Sequence, residues 1–326
     1  MVSAAGDTAE SVLAAMLAGT PLVPAAIGGF DATRYMPRRG VKDLSRISQL
    51  ACSAAAANAR GLAGVPPGEV GIVFGSAWGS LATVIAFERE AHVQGARFVD
   101  PILFTETVSN VPAGQVAILY GWSAFNATLS SGTASGLAAL RQAVQFLAED
   151  RGAVAVAGGG DELDPRLMSA LKARGWSGPD GGEGACFLTI EGEAHAGSRG
   201  ASALGSITAT AERFGGADAD LMRALIEGAG RKAADIDLVV LSDPDRRAVA
   251  EVFGDGKDAP AVVVPKTILG ETWAASGSLA AALALEIMRT SMVPAVSGPH
   301  RRDVANALIV DRADSGQQLG LALSRT

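Results

Sequence analysis

The chain has 326 residues, of which 48% are hydrophobic and 19% are charged, with a formal net charge of −7 and a pI near 5.1. This composition fits an α/β protein built from two domains or two fused halves, and it excludes a disordered chain. An acidic chain without a long basic cluster is not expected to bind nucleic acid, and no apolar run reaches the about 20 residues of a membrane span.

The cysteine content indicates a reducing compartment. Only Cys52 and Cys186 are present, too few and too far apart for a metal site or a disulfide framework. We therefore expect a cytoplasmic protein that carries neither a metal nor a cofactor.

The first part of the chain predicts helices that alternate with strands. The predicted elements are a helix at 8–18, an alanine-rich helix at 46–63, a strand at 70–74, a helix at 79–93, and a strand at 153–157. On the helix at 79–93, Ser80, Thr83 and Phe87 are spaced i, i+3 and i+7, which places them on one face.

Residues 126–136, Asn-Ala-Thr-Leu-Ser-Ser-Gly-Thr-Ala-Ser-Gly, contain an abrupt change of pattern. A β-rich run at 126–130 is followed by a helical pattern at 137–147, and Thr133 stands between them. A turn of small residues at a helix N-terminus can present one side chain above backbone N–H groups, which suits a nucleophile or an anion. The alternative is a tight turn that only packs a helix onto a sheet.

The second half repeats the alternation, which is typical of layered α/β proteins. The predicted elements are strands near 201–210 and at 236–241, 261–264, 307–310 and 319–323, and helices at 218–228, 245–253 and 274–289.

Two motifs together closely resemble the nucleophile region of β-ketoacyl synthases of the thiolase superfamily: Ser-Asn-Val-Pro-Ala-Gly-Gln at 109–115 and the turn at 126–136. Weaker matches at 179–191 and 264–285 extend the resemblance over nearly the whole chain. It implies an α/β thiolase-like fold, with two pseudo-repeated βαβαβαββ halves, 1–165 and 166–326, in an α-β-α-β-α arrangement. The family's first strand has no counterpart here, so either the chain starts late or the sheet begins one strand short.

The resemblance also identifies the positions of the family's catalytic Cys-His-His set. They are occupied by Thr133, Asp243 and Glu271, while Lys266 and Gly270 of the family's Lys-x3-Gly-His motif remain. A threonine alcohol needs a strong adjacent base to become a nucleophile, whereas a cysteine thiolate forms readily. A carboxylate at a histidine position would repel a malonyl group.

A ketosynthase-like chain that lacks these residues resembles a chain-length factor of a type II polyketide synthase. The resemblance implies a heterodimer with an active ketosynthase, an acyl carrier protein engaged through that partner, no activity alone, and a tunnel lined by Ser80, Thr83 and Phe87. Two alternatives remain open: an acyltransferase or hydrolase that uses Thr133 or Ser131, and a homodimeric acyl-binding scaffold. The short N-terminus, an abbreviated segment before residue 179 and Thr133 depart from the usual aromatic-polyketide members, which favours a factor for polyene-like or other reduced chains.

A cluster of basic residues is a candidate contact for an acidic carrier protein. Its members are Arg34, Arg38, Arg39, Lys42 and Arg46. The alternative interpretation is an ordinary solvated face.

Overall fold

The protein contains two five-stranded mixed sheets. The structure is a computed structural model and describes residues 1–22, 26–38, 40–178, 180–242, 245–295 and 298–326. The first sheet contains β1 (Val2–Ser3), β2 (Val70–Gly75), β3 (Asn126–Leu129), β4 (Val154–Asp161) and β5 (Gly184–Glu191). The second contains β6 (Ser206–Phe214), β7 (Leu238–Leu241), β8 (Ala261–Val263), β11 (Asn306–Arg312) and β12 (Gln317–Ser324), and β9 (Met292–Ala295) pairs with β10 (Gly298–Arg301) as a separate hairpin.

Both sheets have the same strand topology. Their strand orders are β1-β5-β4-β2-β3 and β6-β12-β11-β7-β8. The second strand in each order, β5 or β12, is antiparallel to both of its neighbours, and the fourth, β2 or β7, is parallel to both of its neighbours. The predicted division at 165 and 166 separates β5 from the sheet in which it pairs. The strand pairing favours a division between 191 and 206.

Helices form the remaining three layers. In chain order they are α1 (Ala9–Ala18), α2 (Arg46–Gly61), α3 (Leu81–Gln94), α4 (Pro101–Thr105), α5 (Val111–Tyr120), α6 (Ser135–Ala148), α7 (Pro165–Ala173), α8 (Glu193–Ser198), α9 (Asp218–Gly228), α10 (Arg247–Phe253), α11 (Lys266–Leu269) and α12 (Ala275–Thr290). The pair α6 and α12 lies between the sheets, while α2 and α5 cover the first sheet and α9 and α10 cover the second. The predicted α-β-α-β-α arrangement is therefore confirmed.

The composition of α12 explains its central place. Thirteen of its sixteen residues are buried, and most are alanine or other small residues, so the helix is apolar on every side. Small side chains also let α6 approach closely: a Cβ at Gly277 would lie 2.7 Å from the Cβ of Leu137.

Three local features differ from the sequence prediction. Val2–Ser3 forms a two-residue strand paired with β5, so the position predicted to lack a first strand holds a short one. Two residues are too few for a periodic pattern to reveal. The strand predicted near 201–210 begins at Ser206 and continues to Phe214, and the hairpin β9–β10 was not predicted. Within the described ranges, no helix combines the length and apolarity needed to cross a membrane.

Candidate functional site

Thr133 lies in a short 3-10 turn between β3 and α6, and only 7% of the residue is exposed. Gly132 before it has a φ of 70°, a left-handed conformation that favours glycine. The Ser131 N–H donates to the Ser135 hydroxyl (2.8 Å), which donates to the Gly132 carbonyl (2.6 Å). The Thr133 hydroxyl itself donates to the backbone carbonyl of Arg312 (3.3 Å). Its proton is thus directed at an amide oxygen, which is not a base.

Close backbone contacts fix this turn in place. A Cβ at Gly136 would lie 2.0 Å from the carbonyl oxygen of Ala274, and one at Gly159 would lie 2.4 Å from the same atom. A Cβ at Gly75 would lie 2.2 Å from the Ser135 carbonyl oxygen. The ends of β2 and β4, the start of α6 and the segment before α12 therefore meet where larger residues do not fit.

Asp161, the last residue of β4, joins two of these segments. Its carboxylate is buried and accepts bonds from the Ser76 hydroxyl (2.6 Å) and from the N–H groups of Ala77 (3.0 Å), Trp78 (3.0 Å) and Ala274 (2.9 Å). Burial raises the pKa of Asp161 to about 6, although these hydrogen bonds act to lower it. This one side chain sets the position of the loop after β2 relative to the segment before α12.

The Thr133 side chain lines an open cavity of about 480 Å³. Aromatic side chains and hydroxyl groups form most of its wall, and Asp314 is the only ionisable side chain among the described residues that line it. Its lining comprises Ala77, Trp78, Ser130, Ser131, Gly132, Thr133, Phe214, Asp314, Ser315 and Gln317.

Glu271 belongs to a separate buried cluster of charges. The Lys266 ammonium lies 2.7 Å from Glu271 Oε2, and Glu271 Oε1 accepts the N–H of Trp273 at 2.8 Å. Burial acts to lower the pKa of Lys266, but the negative charges of Glu271 and Asp311 outweigh it and raise that pKa. Both carboxylate oxygens of Glu271 are therefore engaged by groups other than Thr133.

Asp311 is the second carboxylate of this cluster and is fully buried. Its Oδ1 accepts the Arg312 N–H at 2.9 Å, while its Oδ2 has no hydrogen-bond partner among the described residues. Burial raises the pKa of Asp311 to about 6, against the opposing effects of the Lys266 charge and the nearby Ser242 hydroxyl.

The free energy of unfolding is expected to fall as the pH rises from about 4 to about 7, because Asp161 and Asp311 hold a proton more tightly in the folded chain. A carboxyl pKa raised from 3.8 to about 6 contributes stability that is complete below pH 3.8 and is lost as the pH passes 6. Each shift is worth about 3 kcal/mol. Urea unfolding of Asp311→Asn at about pH 5 and about pH 7.5 should show a smaller difference than the wild type. The exposed Asp314→Asn is the control and should keep the wild-type difference; an unchanged difference in Asp311→Asn would contradict this prediction.

The remaining predicted site residues lie in other surroundings. Asp243 lies outside the described residues. Ser80 is fully buried just before α3, and its hydroxyl donates to the Ser45 hydroxyl at 3.3 Å. Thr83 and Phe87 are half-buried on α3, and the Phe87 ring lies 5.9 Å from that of Phe104. These three are not among the described residues that line the Thr133 cavity, and their role in a tunnel stays a prediction.

Sequence reasoning missed the consecutive carboxylates Asp161 and Glu162. Glu162 is buried and accepts the N–H groups of Ile47 (3.2 Å) and Ala82 (2.8 Å), so it caps both α2 and α3. Burial raises the pKa of Glu162 above its usual range. The available signal was an Asp-Glu pair directly after an apolar run and three glycines, residues 153–160. In the part of the chain that the structure describes, no group of three or more His, Cys, Asp or Glu side chains is arranged to hold a metal ion.

Known proteins of one family resemble this chain in sequence. The 3-oxoacyl-[acyl-carrier-protein] synthase 2 of Vibrio cholerae is 25% identical, covering 90% of this chain and 85% of that protein. The protein of the same name from Vibrio harveyi is 27% identical, covering 62% of this chain and 58% of its own length.

Solved structures share the fold over the full length of the chain. The ishigamide ketosynthase/chain length factor has a TM-score of 0.88 at 18% identity, and a β-ketoacyl synthase from Burkholderia phymatum has 0.88 at 22%; each match covers 100% of this chain and 97% of the other. A chain from the structure of a type II polyketide synthase acyl-carrier protein in complex with its ketosynthase has a TM-score of 0.83 at 18% identity, with the same coverage.

The model of the β-ketoacyl synthase N-terminal domain matches residues 21–189, just over half of the 326 residues. This match includes the turn at Thr133, the glycine-rich end of β4 and the whole of α6. The chain therefore belongs to the β-ketoacyl synthase family.

Proposed function

We propose that this chain is a chain-length factor, a non-catalytic subunit that pairs with an active ketosynthase and shapes the tunnel for a growing polyketide or polyene chain. The surroundings of Thr133 carry the proposal. Its hydroxyl donates to a backbone carbonyl, and the only ionisable side chain among the described residues that line its cavity is Asp314, which is exposed. An alcohol without an adjacent base is a poor nucleophile.

Three surface features support the proposal of a partner subunit. All 14 residues of α3 are at least partly exposed, and β3 is an edge strand whose outer side pairs with no other described strand. Exposed apolar side chains also follow one another from the end of α3 to the start of α5: Val93, Phe98, Ile102, Phe104 and Val108. Apolar patches and open strand edges of this kind are normally covered in an assembly. An obligate interface of this type is expected to bury about 2,000 Å² or more.

The acyl carrier protein is proposed to act through the active partner. Within the predicted basic cluster, Arg46 is engaged by its own chain, since it lies 2.6 Å from the buried Glu183 and over the ring of Phe30 at 4.5 Å. Arg39 lies outside the described residues. Arg34, Arg38 and Lys42 are exposed, which fits a carrier contact and a solvated face equally.

Condensation assays test the proposed function. The purified chain, supplied with an acyl primer and a malonyl-loaded carrier protein, should form no ketoacyl product, and Thr133→Cys alone should not restore condensation. Co-expression with an active ketosynthase should give a one-to-one complex that does condense. Product formation by the wild-type chain without a partner would overturn the proposal.

An acyltransferase or hydrolase is the second candidate, because Ser131 and Thr133 both line an open cavity. Incubation with an acyl thioester followed by intact-mass analysis separates the two functions. A covalent acyl adduct on the wild type that is lost in Thr133→Ala or Ser131→Ala would favour the enzyme. A stable homodimer that binds no ketosynthase would favour the third possibility, a homodimeric acyl-binding scaffold.

Phe87→Ala and Thr83→Ala are expected to lengthen the products of the assembled complex. Removing a tunnel wall leaves room for added chain units and keeps the complex intact, whereas removing a core phenylalanine costs about 3–5 kcal/mol and reduces its yield. Because the Phe87 ring contacts that of Phe104, a reduced yield of complex through lost packing is the competing outcome. Product length by mass spectrometry, with yield of complex as the control, distinguishes them. If both variants assemble normally and the distribution of product lengths is unchanged, the proposed role of Thr83 and Phe87 in the tunnel wall is wrong.

A further inference from the structure

The Thr133 cavity combines two exposed aromatic rings with an unpaired carboxylate. Trp78 and Phe214 both line it and are 37% and 71% exposed. Asp314 also lines it and is exposed, and its carboxylate makes no hydrogen bond or ion pair with another residue that the structure describes. The other polar side chains of the described lining are uncharged hydroxyls and one amide. The cavity therefore offers a ligand aromatic surface and one negative charge.

Trp78 is held in a fixed position in the cavity wall. Its ring lies edge-on to the ring of Trp273, with centroids 5.6 Å apart and an angle of 87° between the planes, and Trp273 is only 1% exposed. The backbone N–H of Trp78 donates to the buried Asp161 carboxylate at 3.0 Å. Because buried groups hold both the ring and its backbone, the aromatic wall is in place before a ligand binds, and little side-chain freedom is lost on binding.

The arginines next to the cavity are neutralised within the chain itself. Gln317, a lining residue, donates its amide to Glu212 Oε1 at 2.7 Å, and Glu212 Oε2 lies 3.0 Å from Arg141. Arg312, at the end of β11, pairs with Asp218 at 2.7 Å. Each arginine thus has a carboxylate of its own, and the charge that the cavity presents stays negative. A cleft of one charge sign attracts ligands of the opposite sign and disfavours ligands of its own.

We infer that the Thr133 cavity binds a small organic cation, with the aromatic side chains of Trp78 and Phe214 against its ammonium group and Asp314 as the counter-ion. Aromatic faces attract a positively charged nitrogen, at exposed sites as well as buried ones, and sites for quaternary ammonium groups are built from them. The volume of about 480 Å³ is that of a small-molecule site. A neutral ligand of the same shape would leave the carboxylate without a counter-ion.

This inference goes beyond the proposed function and does not depend on it. The ligand is a positively charged group and not the growing chain, and its binding requires neither a reaction at Thr133 nor a second subunit. Binding is therefore measured on the isolated chain. A negative result overturns the cation site and leaves the role of partner subunit untouched.

Titration of the purified chain with choline, followed by the NMR signals of the ligand, tests the inference. The comparison is with dimethylbutanol, an uncharged isostere in which a tert-butyl group replaces the trimethylammonium group. Choline should bind at least about tenfold more tightly than the isostere, because its attraction to the rings and to the carboxylate is added while shape and apolar area stay the same. Equal affinities, or no binding of choline, would overturn the inference.

Two matched pairs of variants locate the site. Asp314→Asn should reduce the preference for choline over its isostere by about threefold. Asp255→Asn, an equal change of net charge at an exposed position outside the described lining, should keep that preference. Phe214→Leu should reduce it by about twofold or more, whereas Phe98→Leu, at a residue that is 57% exposed and outside that lining, should not. Trp78→Leu should have a larger effect than Phe214→Leu, because indole attracts cations best; if it does not fold, the two pairs decide. Equal effects within either pair would show that choline binds elsewhere and would overturn the inference.

Discussion

Lys266→Met is expected to lower the free energy of unfolding by about 3–5 kcal/mol, the usual cost of breaking a buried ion pair from one side. The Lys266 ammonium lies 2.7 Å from Glu271, and its charge also acts on the fully buried Asp311. Methionine fills a similar volume but leaves two buried carboxylates without this cation. Urea unfolding near neutral pH measures the loss.

Two other variants show whether the buried charge cluster is responsible. Glu271→Gln should cost less than Lys266→Met, because one ammonium and one carboxylate then remain. Lys172→Met removes an ion pair of similar length, 2.6 Å to Asp180, whose partners are 59% and 45% exposed. Such surface pairs contribute about 0–1 kcal/mol. Equal losses for Lys266→Met and Lys172→Met would show that burial of the cluster has no effect on stability.

If the chain pairs with a ketosynthase as proposed, Thr128→Pro is expected to weaken that association by about tenfold or more in Kd, which corresponds to about 1.4 kcal/mol. On the inner side of β3, the carbonyls of Phe125 and Leu129 accept bonds from the N–H groups of Ile72 in β2 (2.8 Å) and Ser76 directly after it (3.0 Å). Because alternate residues of a strand direct their N–H groups to opposite edges, Thr128 presents its N–H to the open edge. Proline there removes a donor that a second strand would use and is tolerated by the chain's own sheet.

Thr128→Val is the matched control for this edge. It keeps the backbone N–H and removes only a hydroxyl that has no partner among the described residues, so it should assemble as the wild type does. Sedimentation of the co-expressed subunits measures association, and urea unfolding of each purified variant checks the fold. A Thr128→Pro chain that folds and still forms the full complex would place the interface elsewhere.

The fold class was predictable because its signals are local. Alternating apolar runs and helical patterns marked most strands and helices, and α1, α9 and α12 lie within one or two residues of the predicted bounds. The motif at 126–136 placed Thr133 at a turn between strand and helix, where the structure has it. These features follow from short stretches of chain, whose periodicity and turn residues are visible without any partner.

Contacts between distant residues decided what the sequence left open. The hydrogen bond from the Ala274 N–H to Asp161 joins residues that are 113 positions apart in the sequence. No local pattern indicates that the end of β4 contacts the segment before α12. The same is true of Trp78 against Trp273, and of β5, whose antiparallel pairing assigns it to the first sheet. Glu271 stood at a catalytic position in the sequence, yet packing set it against Lys266. By itself the sequence determined the alternation of strands and helices and the strand-to-helix turn at Thr133. The tertiary structure decided which carboxylates are buried and paired and which residues line the cavity, because burial and charge pairing exist only once the chain has folded.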